Sequence, residues 1–476
     1  MTNHKKNKVH IIGIAGAGMS ALAVLFKDAG WIVSGSDENV FPPIPEYLKK
    51  NKIKFSKKYS SNNIPKDTNL IVIGKNVHLS EEENPETRAA LAWQRNLPAG
   101  RQVKSLPEAL AMLSKNTENW VVAGSFGKST VTALLAWCLF KAKRDPSYFI
   151  GAVPIDLKKS SHLGRGEVFV QEGDEYPSSN WDKRSKFLNL NPSSVLIISG
   201  EHDHVNVFPT EKSYIQPYKK LVTKIPKSGL LVYAKNSKNS KEISKHAKSK
   251  IISYALEDKK ADWYGQNFKF SKVTSFDLMN HGKKIISIKT PLLGKHNMEN
   301  IIGAGALLLE NKKITPKEFT RAIEKFSGIK RRIELLNKKG SVLIYEGFGS
   351  SYEKARAIFE ALKLHYPERR IVTVFEPHAF SWRNITFLPW YKDIFKGLDE
   401  VIMLPAVSRG KKAQGQLSSE DIWVEAKKHF PIHITKGEKE TLKTLKKIVK
   451  KNDVIALVSS GSLFGLTKSV PKLFNK

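Results

Sequence analysis

The chain has 476 residues, of which 41% are hydrophobic. At ~150 residues per domain, this length predicts about three domains, each with its own core. Lys and Arg total 79 against 45 Asp and Glu, a net charge of +34, and Cys138 is the single cysteine. This composition excludes a disulfide-stapled secreted scaffold, and no apolar stretch is long enough to span a bilayer. No apolar run of signal-peptide length precedes Gly13, so we expect a soluble cytoplasmic protein.

The positive charge favours anionic ligands such as nucleotides, phosphosugars or acidic peptides. The lysines are scattered in pairs, and no basic run alternates with aromatic residues. No zinc-finger spacing or basic-region heptad is present either. We therefore expect no nucleic-acid partner and no insertion into a membrane.

The first block of predicted elements is a strand, a glycine-rich turn, a helix and a second strand. The strands are Val9–Ile14 and Trp31–Asp37, and a third follows at Asn69–Gly74. Leu97–Val103 contains Pro and Gly and is predicted as a loop near the end of this domain.

A second block begins at Trp120, with a strand, the turn GSFGKST and an apolar helix. Val168–Gln171 and Val195–Ser199 are further strand candidates, whereas the polar, lysine-rich stretch 235–260 is predicted to be peripheral. A third block begins near Gly328, and its strand candidates are VLIYEG, RIVTVFE, EVIMLPA and DVIALVSSG.

Strands that alternate with helices predict doubly wound parallel sheets. We expect an α/β protein with three domains: an N-terminal Rossmann-like domain, a central P-loop ATPase domain and a C-terminal Rossmann-like domain. The predicted boundaries are 1–112, 113–327 and 328–476.

The strongest motif is the turn between the strand at Trp120 and the following helix. It consists of Gly124, Ser125, Phe126, Gly127, Lys128, Ser129 and Thr130. Such a loop forms an anion site from backbone N–H groups, with a lysine for the β- and γ-phosphates and a hydroxyl for Mg²⁺. The first glycine of the usual pattern is Val122 here, so the loop is a variant. The alternative is a glycine turn that merely precedes a helix.

The N-terminal turn is a weaker signal. Gly13, Gly16 and Gly18 precede a helix, and Asp37 ends the second strand, where it could accept a ribose hydroxyl. The alternative is that the glycines serve ordinary strand-to-helix packing. Alone the turn would indicate an NAD-dependent oxidoreductase, but the phosphate loop downstream favours a second nucleotide-bearing ligand.

Two polar clusters follow strands near the phosphate loop. One spans Gln171–Tyr176 and includes Glu172, and the other is Glu201–His204. Carboxylates suit Mg²⁺, and a His/Asp pair suits a metal or an acid–base step. Each cluster could also be a solvated loop.

Two further segments carry candidate ligands. His296 and Asn297 open a predicted helix, where they could simply cap it. Arg331 and Arg332 could clamp a phosphate or pair with a surface carboxylate.

These motifs, in this order, resemble the Mur ligase family, the ATP-dependent amide-forming enzymes of peptidoglycan synthesis. The resemblance spans the chain through HIIGIAGAGMSALA, GSD, GSFGKST, EGDEY, HDH, GKHNMEN, IKRRIELL and FEPHAFSWRN. GSDENVFPP and WDKRSKF resemble the branch whose acceptor is the peptide L-alanyl-γ-D-glutamyl-meso-diaminopimelate. The alternative branch adds L-alanine to the same sugar nucleotide.

The resemblance implies roles for individual residues. Gly16, Gly18 and Asp37 would bind the UDP part of UDP-N-acetylmuramate. Lys128, Glu172 and His204 would be catalytic, with Ser129, Glu172 and His204 holding Mg²⁺. ATP would contact residues 124–130 together with His296, Asn297, Asn300 and Arg332. Glu376, His378 and Arg383 would receive the acceptor.

The resemblance also implies a function: an ATP-dependent ligase acting through an acyl phosphate, with ATP and Mg²⁺ as cofactors. The substrates would be UDP-N-acetylmuramate and a peptide or amino acid, and the chain would act as a monomer whose third domain closes over the reactants.

One stretch departs from the family pattern. The family commonly shows Tyr-Asp-Asp-Tyr/Phe-Ala/Gly-His-His-Pro after the first strand of the third domain, and here the residues are YEGFGSSY, from Tyr345 to Tyr352. Gly347 replaces the aspartate expected near the ATP ribose, and two serines replace the histidines. The Asn that commonly precedes the Asp-His element is also missing from SGEHDH. These changes motivate a third hypothesis, a non-catalytic Mur-like binding protein.

Overall fold

The structure is a computed structural model that describes residues 6–41, 44–95, 102–204, 207–337, 339–406 and 415–474. The chain divides into two compact units. The first comprises Met1–Gln266, Asp277–Ile288 and Glu299–Glu324, and the second comprises Asn267–Phe276, Lys289–Met298 and Lys325–Lys476.

The first unit begins with a parallel sheet of order β2-β1-β3-β4, whose inner strand β3 is a buried run of Leu, Ile and Val. Its strands are β1 (Lys8–Ile12), β2 (Ile32–Ser36), β3 (Leu70–Ile73) and β4 (Gln102–Ser105). Its helices are α1 (Ala17–Asp28), α2 (Ile44–Lys50), α3 (Pro85–Arg95) and α4 (Leu106–Leu113). The predicted loop 97–103 is wrong at its end, because Gln102 and Val103 pair with β3; residues 97–101 lie outside the described residues.

A larger sheet follows, of order β14-β13-β12-β11-β10-β9-β5-β8-β6-β7. Its strands are β5 (Glu118–Ala123), β6 (Ser147–Phe149), β7 (Ser161–His162), β8 (Val168–Gly173), β9 (Ser194–Ile197), β10 (Leu230–Ala234), β11 (Lys250–Ala255), β12 (Trp263–Lys269), β13 (Thr274–Asn280) and β14 (Lys283–Thr290). The accompanying helices are α5 (Lys128–Lys141), α6 (Glu211–Thr223), α7 (Ser240–Ser244), α8 (Lys295–Glu310) and α9 (Pro316–Ile323).

The position of β5 matters most for the site. It pairs in parallel with β8 on one side and β9 on the other, so the carboxyl ends of all three strands meet at one edge. The helix α5, which leaves this edge, is buried from Val131 to Leu139, and the Trp137 indole donates to the Ala322 carbonyl in α9 at 2.9 Å. A helix that is apolar all round must be enclosed, and α5 is therefore a rigid support for the loop before it.

The stretch 235–260 is not peripheral, contrary to the sequence prediction. It supplies β11, which pairs with β10 and β12 inside the sheet. Ile252, Tyr254 and Ala255 are buried. The lysines that make the stretch polar lie before and after these residues in the chain.

The second unit contains a sheet of order β15-β16-β20-β17-β18-β19. Its strands are β15 (Arg332–Leu335), β16 (Leu343–Gly347), β17 (Ile371–Phe375), β18 (Glu400–Met403), β19 (Ile432–Ile434) and β20 (Val454–Val458). Its helices are α10 (Tyr352–His365), α11 (Ser419–Lys427), α12 (Glu438–Ile448) and α13 (Leu466–Phe474). The pairs are parallel except for β15 with β16.

The predicted α/β class with largely parallel sheets is confirmed, and the exact domain boundaries remain predictions. Within the described residues, no helix combines the length and apolar character needed to cross a bilayer.

Candidate functional site

The phosphate loop leaves the end of β5 and enters α5 through two glycines in backbone conformations that other residues avoid. Gly124 has φ +138°, and a Cβ there would lie 2.7 Å from both the backbone N and O of Ser199. Gly127 has φ +86° and is the N-cap of α5. Because the first-turn N–H groups of a helix lack acceptors within the helix, Lys128, Ser129 and Thr130 present a positive backbone end here.

A neighbouring strand end holds this loop in shape. Ser199, just beyond β9, accepts hydrogen bonds at its Oγ from the amides of Ser125 at 2.8 Å and Phe126 at 3.1 Å. The Ser125 hydroxyl contacts the Glu201 carbonyl and lies 2.8 Å from the Tyr214 hydroxyl of α6. The loop is therefore fixed by contacts outside itself, which sequence reasoning did not identify.

Lys128 forms an ion pair that the sequence analysis missed. Its Nζ lies 2.9 Å from Oε2 of Glu175 and donates to the Gly124 carbonyl at 2.5 Å. The side chain of Glu175 is only 1% exposed and that of Lys128 is 16% exposed. The second oxygen of Glu175 lies 3.1 Å from Nε2 of His204. Glu175 thus joins Lys128 and His204, two of the three predicted catalytic residues.

Glu172 lies on the other side of the loop, at the end of β8. Its Oε1 accepts from the Gly151 amide at 2.5 Å, and the Ser129 side chain is close enough to influence the pKa of its carboxyl group. Burial raises the pKa of Glu172, although the Gly151 amide, Ser129 and the charge of Lys128 act in the opposite direction.

The pairing of Ser129 and Glu172 fits a magnesium site, since both donate hard oxygen atoms. His204 was predicted as the third ligand. Its Nε2 faces Glu175 instead, and its Nδ1 lies 3.0 Å from the Tyr176 hydroxyl. Among the described residues, no group of three or more His, Cys, Asp or Glu side chains is arranged to hold a metal ion. The magnesium assignment therefore stays a prediction.

The N-terminal turn brings Asp37 to the glycine-rich segment. The Asp37 carboxylate is 6% exposed and accepts from the Ala15 amide at 2.9 Å and the Tyr59 hydroxyl at 3.2 Å. Gly16 is the N-cap of α1. A Cβ on Gly18 would lie 3.1 Å from Leu106, so tight packing also contributes to the need for a glycine there.

The start of α8 carries the predicted adenine-side residues. Asn297 is buried and donates from its side chain to the Leu293 carbonyl at 2.7 Å, while His296 is exposed. Three residues further along the helix, Asn300 lies at the phosphate loop, where a Cβ on Gly127 would be 3.2 Å from its Oδ1.

The two arginines near β15 have different surroundings. Arg331, at φ +64°, pairs with Glu346 at 2.9 Å and donates to the Gly461 carbonyl at 2.6 Å. Arg332 lies over the ring of Phe348, with its guanidinium carbon 4.9 Å from the centroid. Arg331 therefore matches the carboxylate-pairing alternative, and the ATP contact of Arg332 remains a prediction.

Two of the three predicted acceptor residues, Glu376 and His378, lie near the ends of β17 and β20. Glu376 is 1% exposed and accepts from the Ser459 hydroxyl at 2.7 Å and the Leu463 amide at 2.8 Å. His378 lies 3.3 Å from the Ser460 hydroxyl, and Arg383 ends a short 3-10 helix, where it is partly exposed. Glu376 thus shapes the loop after β20, and acceptor contact by all three residues remains a prediction.

Two residues of the stretch that departs from the family pattern, Gly347 and Ser351, have structural roles. A Cβ on Gly347 would lie 2.5 Å from Cδ1 of Ile358 in α10. Ser351 is the N-cap of α10 and accepts from the Lys354 amide at 3.5 Å. One replacement thus makes room for α10, and another caps it.

Comparison with known proteins gives matches along most of the chain. Residues 8–117 match the catalytic domain of the Mur ligase family, and residues 122–308 match the Mur ligase middle domain. UDP-N-acetylmuramate–L-alanine ligase of Dictyoglomus turgidum is 30% identical, and the alignment covers 98% of this chain and 96% of that protein.

A second kind of relative also matches. UDP-N-acetylmuramate–L-alanyl-γ-D-glutamyl-meso-2,6-diaminoheptandioate ligase of Escherichia coli is 29% identical over 78% of this chain and 79% of its own length. The crystal structure of UDP-N-acetylmuramate–alanine ligase from Thermotoga maritima superimposes with a TM-score of 0.76 at 21% identity, covering 98% of both chains, and so shares the fold. The chain belongs to the Mur ligase family of ATP-dependent amide-forming ligases.

Proposed function

We propose that this protein uses ATP to join L-alanine to the lactyl carboxylate of UDP-N-acetylmuramate. The observation that carries the ATP-dependent step is the phosphate loop, with Lys128 at the start of α5 and Ser129 near the carboxylate of Glu172. A glycine loop that ends in a helix N-terminus, a lysine and hard oxygen donors suits a magnesium triphosphate.

The chemistry requires an activated acyl group, because a carboxylate and an amine at neutral pH form a salt. In the proposed reaction a muramate oxygen takes the γ-phosphoryl group of ATP, releasing ADP and leaving an acyl phosphate. The amine of the acceptor then forms the C–N bond, the bond from carbon to the phosphate oxygen breaks, and the amine loses a proton. Transfer of a phosphoryl group depends mainly on positioning and charge neutralisation.

The proposed roles belong to residues of the phosphate-loop region and of the N-terminal turn. The ammonium group of Lys128 would weaken its ion pair with Glu175 and neutralise charge on the phosphates. Ser129 and Glu172 would hold Mg²⁺, which supplies charge neutralisation when bound. His204 would be held in place by Glu175 and Tyr176. Gly16, Gly18 and Asp37 would bind the UDP part of the sugar nucleotide.

The choice of L-alanine rests on the relatives. L-alanine ligases match this chain over nearly its full length, whereas the peptide ligase of Escherichia coli matches about four fifths of it. The peptide acceptor, which the sequence analysis placed first, is now the second candidate; the segments GSDENVFPP and WDKRSKF support it.

A phosphate-release assay tests the proposal. Purified protein, UDP-N-acetylmuramate, ATP and Mg²⁺ are combined with L-alanine, with the tripeptide, or with no acceptor. We expect L-alanine to give the highest kcat/KM and a product whose mass equals the sum of the two substrates minus water. A higher kcat/KM for the tripeptide would overturn the acceptor assignment while leaving the ligase reaction intact.

The variant Lys128→Ala serves as the control for the ATP site. It is expected to abolish ADP formation and to leave UDP-N-acetylmuramate binding close to that of the wild type. Binding of the sugar nucleotide without any phosphate release from the wild type would favour the non-catalytic hypothesis.

A further inference from the structure

His365, the last residue of α10, makes two hydrogen bonds that fix its protonation state. Its ring is 3% exposed, and its Nε2 accepts from the Gly294 amide at 2.8 Å. Its Nδ1 lies 2.6 Å from the Ser271 carbonyl oxygen. Because an amide donates and a carbonyl accepts, the ring must be neutral, with its proton on Nδ1. Burial lowers the pKa of His365, although the Ser271 carbonyl acts in the opposite direction.

Gly294 is the residue from which α8 begins. Its carbonyl accepts from the Asn297 amide at 3.1 Å, and its φ is +90°. A Cβ at this position would lie 2.7 Å from Cε1 of His296 and 3.0 Å from Cβ of Ala361 in α10. The turn is therefore packed closely against α10, and His365 satisfies its buried amide.

We propose that His365 is a positioning residue for ATP: by holding the Gly294 amide, it fixes the turn that carries His296 and Asn297. The inference rests on the proposed function and on the ATP contacts that the family resemblance implies for those two residues. His365 itself does not contact substrate in this proposal. Its effect should therefore appear in the affinity for ATP and be small for the sugar nucleotide.

Two substitutions separate the two hydrogen bonds. In His365→Gln the amide oxygen reaches as far as Nε2 and can accept from Gly294. In His365→Asn the shorter side chain can donate to Ser271 but does not reach Gly294. We expect His365→Asn to raise KM for ATP about tenfold, the effect of one lost buried hydrogen bond. The kcat of His365→Asn and its KM for UDP-N-acetylmuramate should each change by less than about twofold. The KM of His365→Gln for ATP should be close to that of the wild type.

Two measurements accompany the kinetics. Titration with MgATP in the absence of acceptor measures the affinity for ATP directly, and hydrogen exchange measures the stability of the 289–298 segment. The His365→Asn variant should exchange faster in that segment, whereas His365→Gln should not. If His365→Asn does not fold, His365→Met replaces it, because its thioether fills space but accepts hydrogen bonds weakly. The control is His433→Asn, at an exposed histidine of β19 that pairs with Glu400 of β18; it should leave both affinities unchanged.

The outcomes distinguish this inference from the proposed function. Equal ATP affinities in the wild type and the Asn variant would overturn the positioning role alone, as would equal losses for both substrates. A wild type that binds ATP but makes no product would overturn the ligase reaction, and the titration would still decide the role of His365. A wild type that binds no ATP would overturn both.

Discussion

The Nζ of Lys128 lies 2.9 Å from Oε2 of Glu175, and this carboxylate also faces His204 at 3.1 Å. Replacing Glu175 by Gln would keep the shape of the side chain and remove its charge. The ammonium of Lys128, whose side chain is largely buried, would then lack its counter-charge at residue 175. We expect the free energy of unfolding of the ligand-free protein to fall by about 1–3 kcal/mol, measured by urea denaturation at pH 7.

Glu172→Gln is the matched comparison. It should leave the free energy of unfolding unchanged or raise it, whereas Glu175→Gln should lower it. Burial raises the pKa of Glu172, so the folded chain disfavours the ionised form. A raised carboxyl pKa makes stability decline as pH rises from about the unfolded value of 4.5 through the folded value. The Gln variant should lack this decline and be at least as stable as the wild type at pH 7. Its Mg²⁺-dependent phosphate release should nevertheless be largely lost. Equal destabilisation by both variants would contradict this account.

Gly124→Ala should destabilise the protein by more than the unfavourable φ at this position would by itself. The new Cβ would lie 2.7 Å from backbone atoms of Ser199, which cannot move without displacing the strand end. Gly30 is the control, since its φ is +82° but a Cβ there would meet nothing within 4 Å. We expect Gly30→Ala to cost about 1 kcal/mol and Gly124→Ala at least about 2–3 kcal/mol. Thermal unfolding of both variants measures the difference, and similar losses would show that the contact with Ser199 is relaxed easily.

Much of the fold could be predicted because buried parallel strands are runs of Val, Ile and Leu that the sequence displays directly. The phosphate loop was also visible, since Gly127 and Lys128 lie between such a strand and an apolar helix. Strand β11 was not visible in the sequence, because only residues 252–255 of it are buried and the residues around them are mostly polar.

The partners within the site could not be predicted. Glu172 and Glu175 are three residues apart, at and just after the end of β8, and spacing does not say which carboxylate faces Lys128. The role of Ser199 was equally hidden, because it depends on β9 lying next to β5, a long-range pairing. Local patterns predict elements, whereas the contacts between loops depend on how the strands are ordered.

Gly347 and Ile358 should show coupled effects on stability. Gly347→Ala places a Cβ 2.5 Å from Cδ1 of Ile358 and is expected to cost about 1–3 kcal/mol. Ile358→Val removes that terminal methyl group and alone should cost about 0.5–1.5 kcal/mol. The double variant should be more stable than the sum of the two losses predicts, by at least about 0.5 kcal/mol in a double-mutant cycle. Additive losses would mean that Ile358 already adapts to a side chain at residue 347.

Glu86 should govern part of the acid sensitivity of the N-terminal sheet. Its side chain is fully buried, with Oε1 2.6 Å from Nε2 of His10 and 2.7 Å from the Ser36 hydroxyl. Burial acts to raise the pKa of Glu86, but hydrogen bonds from His10, Ser36, Asn63 and the Ser60 amide outweigh it and hold the pKa below its usual value. A depressed carboxyl pKa contributes stability above the unfolded value of 4.5, and this contribution is lost as pH falls through the folded value.

Glu86→Gln should therefore lower the free energy of unfolding at pH 7 by about 2–4 kcal/mol and flatten its decline below about pH 4.5. The matched control is Glu83→Gln, because Glu83 also lies beside a histidine, His78 at 3.1 Å, but both side chains are at least half exposed. That variant should change stability by less than about 0.5 kcal/mol, since exposed ion pairs contribute little. Urea denaturation between pH 3.5 and 7 provides the comparison. An equally steep acid decline in Glu86→Gln would show that other carboxylates carry it, because the amide at residue 86 cannot titrate in this range.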